Sequence, residues 1–189
     1  IVEEGISQSD QSVTRICAEN IAAKKTTVGI MAAQVACDVI TYDVGINHSA
    51  KIPNVIDRKI RCGTRNFLKE PAMTKEEIEV ALSLGRVIVS ELKNKKYELI
   101  CVGEMGIGNT TTSAAIAASL LKVDGKITAG RGSGLSNTGL EKKVSVINEA
   151  IKKYDLYNKG PLEILQTVGG FDLAVMTGIY LAAKEYSMP

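Results

Sequence analysis

Apolar positions along this chain switch repeatedly between the helical period of about 3.6 residues and short β-rich runs, with glycine clusters near the switch points. Ser7-Gln8-Ser9-Asp10 predicts a helix start, after which Val13, Ile16, Cys17 and Ile21 fall on one face. A second apolar stretch, Val28 to Ala36, follows Thr26-Thr27. Val39 to Val44 is strand-like in its β-branched and aromatic content and ends at Gly45. Thr74-Lys75-Glu76-Glu77 then has the form of a capping box, behind which Ile78, Leu82, Gly85, Val89 and Leu92 recur at helical spacing.

Leu99 to Val102 predicts a buried strand running straight into the glycine-rich turn Gly103 to Asn109 and an Ala-rich helix through Leu121, together a βα unit. Ile127-Thr128-Ala129 reads as a short strand before Gly130-Arg131-Gly132-Ser133-Gly134. Thr138-Gly139-Leu140-Glu141 reads as another capping box, opening a helix with Leu140, Val144, Ile147 and Ile151 inward. Gly169-Gly170 precedes a last helix, Phe171 to Glu185. Helices between strands imply an α/β fold with a doubly wound, mostly parallel sheet, helices on both faces and ligands beyond the carboxyl ends of the strands, a Rossmann-like arrangement. No repeat or linker interrupts the pattern, so residues 1–189 are expected to form a single α/β domain.

Composition narrows what such a domain does. With 23 Lys+Arg against 21 Asp+Glu the formal charge is only +2, too balanced for a general nucleic-acid or membrane-surface binder. No apolar run approaches the about 20 residues of a membrane span, and no signal-peptide pattern opens the chain. Cys17, Cys37, Cys62 and Cys101 are scattered without a CxxC pair, and His48 is the single histidine. The expectation is therefore reduced cytoplasmic thiols, no bound metal, no cofactor and a small-molecule partner. The chain starts at Ile1 and stops at Ser187-Met188-Pro189, leaving a predicted helix, and is expected to be the core portion of something longer.

The segment Gly103-Glu104-Met105-Gly106-Ile107-Gly108-Asn109-Thr110-Thr111-Thr112 sits where a strand meets a helix N-terminus, a ready anion site. It is either a phosphate loop or a tight turn with a hydroxyl cap. Glu104 repels phosphate, so its place is facing a ribose hydroxyl or a nitrogen heterocycle. There is no GK[ST] P-loop, no GxGxxG, no acidic pair of the Mg²⁺-diphosphoribose kind and no GxSxG elbow. Any sugar transfer here should be metal-free. Gly130 to Gly134 is either a flexible connection or a second ligand loop, from which Lys143 either reaches an anion or joins a solvated face with Lys142, Lys152 and Lys153. Gly169-Gly170-Phe171-Asp172 is a third loop or a helix start with an acid in its first turn. Lys51, Arg58, Lys59, Arg61, Arg65 and Lys69 form a basic run that lacks the aromatics of a nucleic-acid groove.

The segment 103–112 closely resembles the signature of the nicotinate-nucleotide:dimethylbenzimidazole phosphoribosyltransferases, the CobT family. Val2-Glu3-Glu4-Gly5-Ile6-Ser7, Asp43-Val44-Gly45-Ile46, Cys62 to Asn66 with Pro71 to Thr74, and Val168 to Asp172 with Met176-Thr177-Gly178 agree in the same order. The resemblance implies transfer of 5-phosphoribose from nicotinate mononucleotide to a benzimidazole-type base, giving nicotinate and α-ribazole 5′-phosphate for cobamide (vitamin B12) lower-ligand assembly, with a homodimer as the expected assembly. By matching position it places Glu104, Gly106, Ile107, Gly108, Asn109 and Thr110 in the nucleotide-ribose and phosphate pocket, with Gly132 and Lys143, and Ser9 at the acceptor base. Cys17 stands where the family carries a glutamine of the acceptor pocket. Within residues 1–189 Glu104 is the candidate catalytic residue. The family's proposed general base is a glutamate of a Leu-Gly-Glu-Gly segment beyond this stretch. The alternatives are a nucleotide-binding module or an incomplete fragment without transferase activity.

Overall fold

Thr74 opens the longest helix of the chain as its residue types dictate. In the computed structural model, which describes Ser7 and residues 9–189, its hydroxyl accepts the Glu77 N–H at 3.1 Å and the Glu77 carboxylate accepts the Thr74 N–H at 2.7 Å. The Arg65 guanidinium grips the same carboxylate. Helix α3, Lys75–Asn94, follows α1 (Val13–Ala22) and α2 (Thr27–Gln34). After it come α4 (Asn109–Leu121), α5 (Gly125–Thr128), α6 (Asn137–Tyr154), a 3₁₀ turn at Leu156–Asn158, α7 (Pro161–Val168) and α8 (Phe171–Glu185).

Two strands, β1 (Tyr42–Asp43) and β2 (Ile56–Asp57), pair in parallel with Tyr42 opposite Ile56. The α/β class expected from the sequence holds, with a small sheet among many helices. Buried Asp43 closes the turn after β1: one carboxylate oxygen accepts the Gly45 and Ile46 N–H groups at 3.0 and 2.8 Å, and the other takes the Lys59 ammonium at 2.5 Å.

Several expected elements differ. Of Val39 to Val44 only Tyr42–Asp43 pairs, and Leu99 to Val102 forms no strand; Leu99 is 62% exposed, and the Ile100 N–H donates to the Pro189 carbonyl. An extended run becomes a strand only where a neighbour accepts its backbone bonds, and among the described residues only β2 does so, for β1. Ile127-Thr128-Ala129 is not a strand; residues 125–128 are α5, because Asp124 caps the Lys126 N–H and the Asn148 side chain accepts the Gly125 N–H. The cap of α6 is Ser136, which accepts the Gly139 N–H, not Thr138, whose hydroxyl bonds Ser136. On α1 only Ala18 is buried and Ile16 faces outward. Residues 1–6 and 8, with most of the Val2–Ser7 segment, lie outside the described residues.

The helices pack as two adjoining cores. Small residues of α4 (Ala114, Ala115, Ala118) meet Val146, Ile147 and Ala150 of α6 and Ile164 and Val168 of α7. Ile78, Ala81, Ile88, Val89 and Leu92 of α3 meet Phe171, Ala174, Val175 and Ile179 of α8, and Ile116 of α4 touches both cores. The α3–α8 crossing is close because glycine stands on each side of it. A Cβ at Gly85 would lie 2.4 Å from the Val175 carbonyl oxygen, and one at Gly178 would lie 2.2 Å from that of Leu82.

Neither backbone carbonyl can step aside cheaply, so Gly178→Ala should cost about 1–3 kcal/mol of stability, read as a lower urea midpoint. Gly160→Ala, where nothing stands within 4 Å of the new methyl, is the control and should leave the midpoint unchanged. Equal midpoints for both variants would contradict the close crossing.

Candidate functional site

The first turn of α4 organises the site. Gly108 caps it at φ 93°, a left-handed conformation that favours glycine. The Asn109 amide then donates to both oxygens of Glu104, at 2.8 and 2.9 Å, while its own side-chain oxygen accepts the Thr110 N–H at 2.8 Å. A β-turn with a helix cap therefore fixes the carboxylate that sequence reasoning singled out. Of the amides that this loop offers to a phosphate, that of Ile107 is directed at the Thr14 hydroxyl of α1, at 3.1 Å.

Successive residues of a helix point about 100° apart, so this turn serves two sides. On one, Thr110 meets Lys143 of α6. The Lys143 side chain is fully buried, and its ammonium donates to the Thr110 hydroxyl at 2.6 Å and the Gly130 carbonyl at 3.0 Å. Both acceptors are neutral, and burial pushes the ammonium pKa down. Gly132, at φ 55°, closes over the same hydroxyl: a Cβ there would lie 3.0 Å from it. Lys143 does not join a solvated face: Lys142, Lys152 and Lys153 are exposed while Lys143 turns inward. Beside it Thr111 is buried with no hydrogen-bond partner for its hydroxyl.

On the other side Asn109 and Thr112 line a cavity of about 640 Å³ between α1, residues 37–47, residues 99–109 and the start of α8. Its wall is largely aliphatic. Its titratable side chains are Cys37, Asp38, Tyr42, Tyr97, Cys101, Glu104 and Asp172, and no Lys or Arg contributes to it among the described residues. Glu104 is half-buried, and its carboxyl is pushed above the usual carboxylate range, first by desolvation and then by Asp172, against the opposing pull of Asn109.

The structure thus gathers Glu104, Gly106, Ile107, Gly108 and Asn109 at the cavity and Thr110, Gly132 and Lys143 across the turn from it. Ser9 is not in the cavity wall, where α1 and its approach contribute Gln11 and Thr14 instead. His48 is not in the wall either. The basic run 51–69 is largely consumed in ion pairs: Arg58 with Glu91, Lys59 with Asp43, and Arg65 with Glu77 and Glu70. The sequence pattern missed the approach of Asp172 to the Glu104 loop. It did carry a signal for Lys143, which shares a helical face with Val146, Ile147 and Ala150. No group of three His, Cys, Asp or Glu side chains that could hold a metal ion occurs among the described residues.

A family model described as phosphoribosyltransferase matches residues 1–189. A nicotinate-nucleotide--dimethylbenzimidazole phosphoribosyltransferase of Clostridium perfringens is 40% identical over 189 residues, all of this chain and 52% of that protein. One of the same name from Ruminiclostridium cellulolyticum is 41% identical over all of this chain and 54% of its own length. The crystal structure of CobT from Thermus thermophilus superposes with a TM-score of 0.90 at 36% identity, covering 98% of this chain and 56% of that one. The chain spans about half the length of the curated relatives it matches.

A buried ammonium with neutral acceptors costs stability, and an apolar side chain of similar length relieves that cost. Lys143→Met should therefore melt at the same temperature as the parent or higher near neutral pH. Because the folded-state pKa of Lys143 lies below its unfolded value, the cost is full below the folded pKa and declines as pH rises from there to the unfolded value, so the variant's advantage should shrink toward alkaline pH. A large loss of melting temperature would show the ammonium to be a net structural tie.

Proposed function

The chain belongs to the CobT-type phosphoribosyltransferase family, and from that premise we propose that it moves 5-phosphoribose from nicotinate mononucleotide to a ring nitrogen of a benzimidazole-type base. The products are α-ribazole 5′-phosphate and nicotinate, the step that supplies a cobamide lower ligand. Residues 1–189 act in this proposal as one α/β domain, the core of the transferase. The observation that carries it is the division at the start of α4, with a buried ammonium on one side and a cation-free, largely apolar cavity on the other.

The chemistry suits that division. The donor's phosphate takes the Lys143, Thr110 and Gly132 side, and its ring and the acceptor base take the cavity that the loop Gly106-Ile107-Gly108 helps to wall. Glu104, held by Asn109, accepts from ribose hydroxyls or the acceptor ring. The acceptor's lone pair forms a bond to the sugar's anomeric carbon from the face opposite the pyridinium. The carbon–pyridinium bond breaks with its electrons passing to the leaving nitrogen, which inverts the linkage from β to α. The acceptor's ring proton then leaves to a base, which family resemblance places outside residues 1–189. A cavity wall bearing carboxylates and, among the described residues, no cation favours the pyridinium nitrogen, provided the carboxylate on the same ring is turned away from Glu104 and Asp172.

Ser9 is proposed at the edge of the acceptor site, where its neighbours Gln11 and Thr14 reach the wall. The protein is proposed to be a cytoplasmic homodimer. In support, Cys17, Cys37, Cys62 and Cys101 are free, no helix among the described residues is long and apolar enough to cross a membrane, and large apolar side chains such as Met31 of α2 and Leu181 of α8 are exposed for an interface.

Calorimetry with nicotinate mononucleotide tests the phosphate assignment. A charge-assisted hydrogen bond is worth about 1.5–3 kcal/mol, so Lys143→Met should weaken the nucleotide about 10- to 100-fold and free nicotinate hardly at all. Equal weakening of both would remove Lys143 from the phosphate. Glu104→Gln in the full-length protein should keep the melting temperature within a few degrees and lower the formation of α-ribazole 5′-phosphate; normal turnover with lost stability would make Glu104 a structural acid.

A further inference from the structure

Helix α1 and its approach turn one stripe of side chains toward the cavity. Gln11, Thr14, Ala18 and Ile21 recur three and four residues apart, the spacing of a single helical face, and all four line the cavity wall. Of the 10 residues of α1 only Ala18 is buried. Apolar packing therefore holds this helix weakly, and its place over the cavity depends on polar ties. Two such ties cross from the stripe to different walls. The Asn47 amide donates to the Gln11 side-chain oxygen at 3.0 Å, and the Ile107 N–H donates to the Thr14 hydroxyl at 3.1 Å.

Both anchor points are fixed by bonds of their own. In residues 43–47 the buried Asp43 carboxylate accepts the Gly45 and Ile46 N–H groups, and the Lys59 ammonium donates to the Ile46 carbonyl at 2.7 Å. On the other wall the Asn109 N–H donates to the Gly106 carbonyl at 3.0 Å, which closes the turn that contains Ile107. Ile107 stands between Gly106 and Gly108, which have no side chains to pack, so the turn depends on hydrogen bonds for its position. The Gln11–Asn47 contact is exposed and competes with water, whereas the Thr14–Ile107 contact is partly buried and is the firmer of the two. Ile107 follows Glu104 by three residues, and Asn109 of the same turn holds the Glu104 carboxylate. One hydroxyl on α1 thus sets how far the α1 wall stands from Glu104.

We propose that Thr14 is a positioning residue for the transfer: its hydroxyl fastens α1, the wall assigned to the acceptor base, to the turn that carries Glu104, and so sets the width of the acceptor pocket. This deepens the transferase reading and rests on it for the identity of the ligand, but the tie itself needs no ligand. Without it, α1 and the turn part, a flat ring between them is held loosely, and its nitrogen is misplaced against the anomeric carbon. The donor's phosphate, on the Lys143 side of the α4 turn, is held as before.

Thr14→Val replaces the hydroxyl with a methyl group of the same shape, and Thr14→Ser keeps the hydroxyl; both are made in the full-length protein. Hydrogen exchange of the Ile107 amide without substrate reads the tie. It should be about tenfold faster in Thr14→Val and close to the parent rate in Thr14→Ser. Initial rates with nicotinate mononucleotide and dimethylbenzimidazole read the consequence. The KM for dimethylbenzimidazole should rise about 3- to 10-fold in Thr14→Val, the worth of one neutral hydrogen bond, while the KM for nicotinate mononucleotide holds. Thr14→Ser should restore the parent value. Thr14→Ala, which favours the helix, serves if the Val variant does not fold and should behave in the same way. An Ile107 amide that exchanges at the parent rate in Thr14→Val or Thr14→Ala overturns the tie. An equal rise of both KM values, or a Ser variant as impaired as the Val variant, overturns the positioning role. If the parent forms no α-ribazole 5′-phosphate, the transferase reading fails while the exchange still decides whether Thr14 holds the turn.

Discussion

A lysine ammonium buried among neutral oxygens is the constraint around which this site is arranged. Lys143 cannot leave: Val146, Ile147 and Ala150 on the same face of α6 are locked into the core with α4, and its stem lies in that face. Its head must then find acceptors where the helix puts it, and it finds the Thr110 hydroxyl and the Gly130 carbonyl. That ties three segments, α6, the glycine loop 130–134 and the first turn of α4, to one point. Thr110 can serve Lys143 only if α4 begins at its present rotation. The same rotation turns Asn109 toward Glu104.

The second constraint is the contact of α3 with α8. With Gly85 and Gly178 at the crossing, the helices approach until backbone meets side-chain space, and α8 is held where Asp172 in its first turn faces the Gly106 loop. The two cores are therefore the two supports of the site. The α4–α6–α7 core sets the ammonium, and the α3–α8 core sets the second carboxyl, with Ile116 of α4 packed against both. A substitution in either core reaches the site through helix position with no need for a contact to it.

Features carried by neighbours in sequence were legible from the residues alone. The Thr74–Glu77 capping box and the start of α8 after Gly169-Gly170 came out as read, because a cap is decided within four residues. Strands were legible only in part: Tyr42–Asp43 lies inside the run read as a strand, but Leu99 to Val102 has the composition of a strand and forms none, because a ladder depends on partners that sequence pattern does not name. Ile127-Thr128 went the same way, its β-branched preference overridden by the caps from Asp124 and Asn148. The ion pairs of Arg58 and Arg65 were not legible in the 51–69 run for a similar reason, since their partners Glu91 and Glu77 lie on α3, outside it. Around the candidate site, residue types and spacing singled out the Glu104 loop, and the resemblance added Lys143; the approach of Asp172 to the Gly106 loop is a product of tertiary packing that neither local pattern foretold.

Opposite charges end up on opposite sides of a single helical turn. The ammonium and the N-terminal end of the α4 dipole make one side favourable to an anion, and the absence of Lys and Arg from the cavity wall among the described residues leaves the other side to the carboxyls of Glu104 and Asp172. In a half-buried setting these fields are screened less than at an open surface. A molecule that is anionic at one end and cationic at the other is oriented by them before any contact is complete, and reversed it would meet repulsion at both ends.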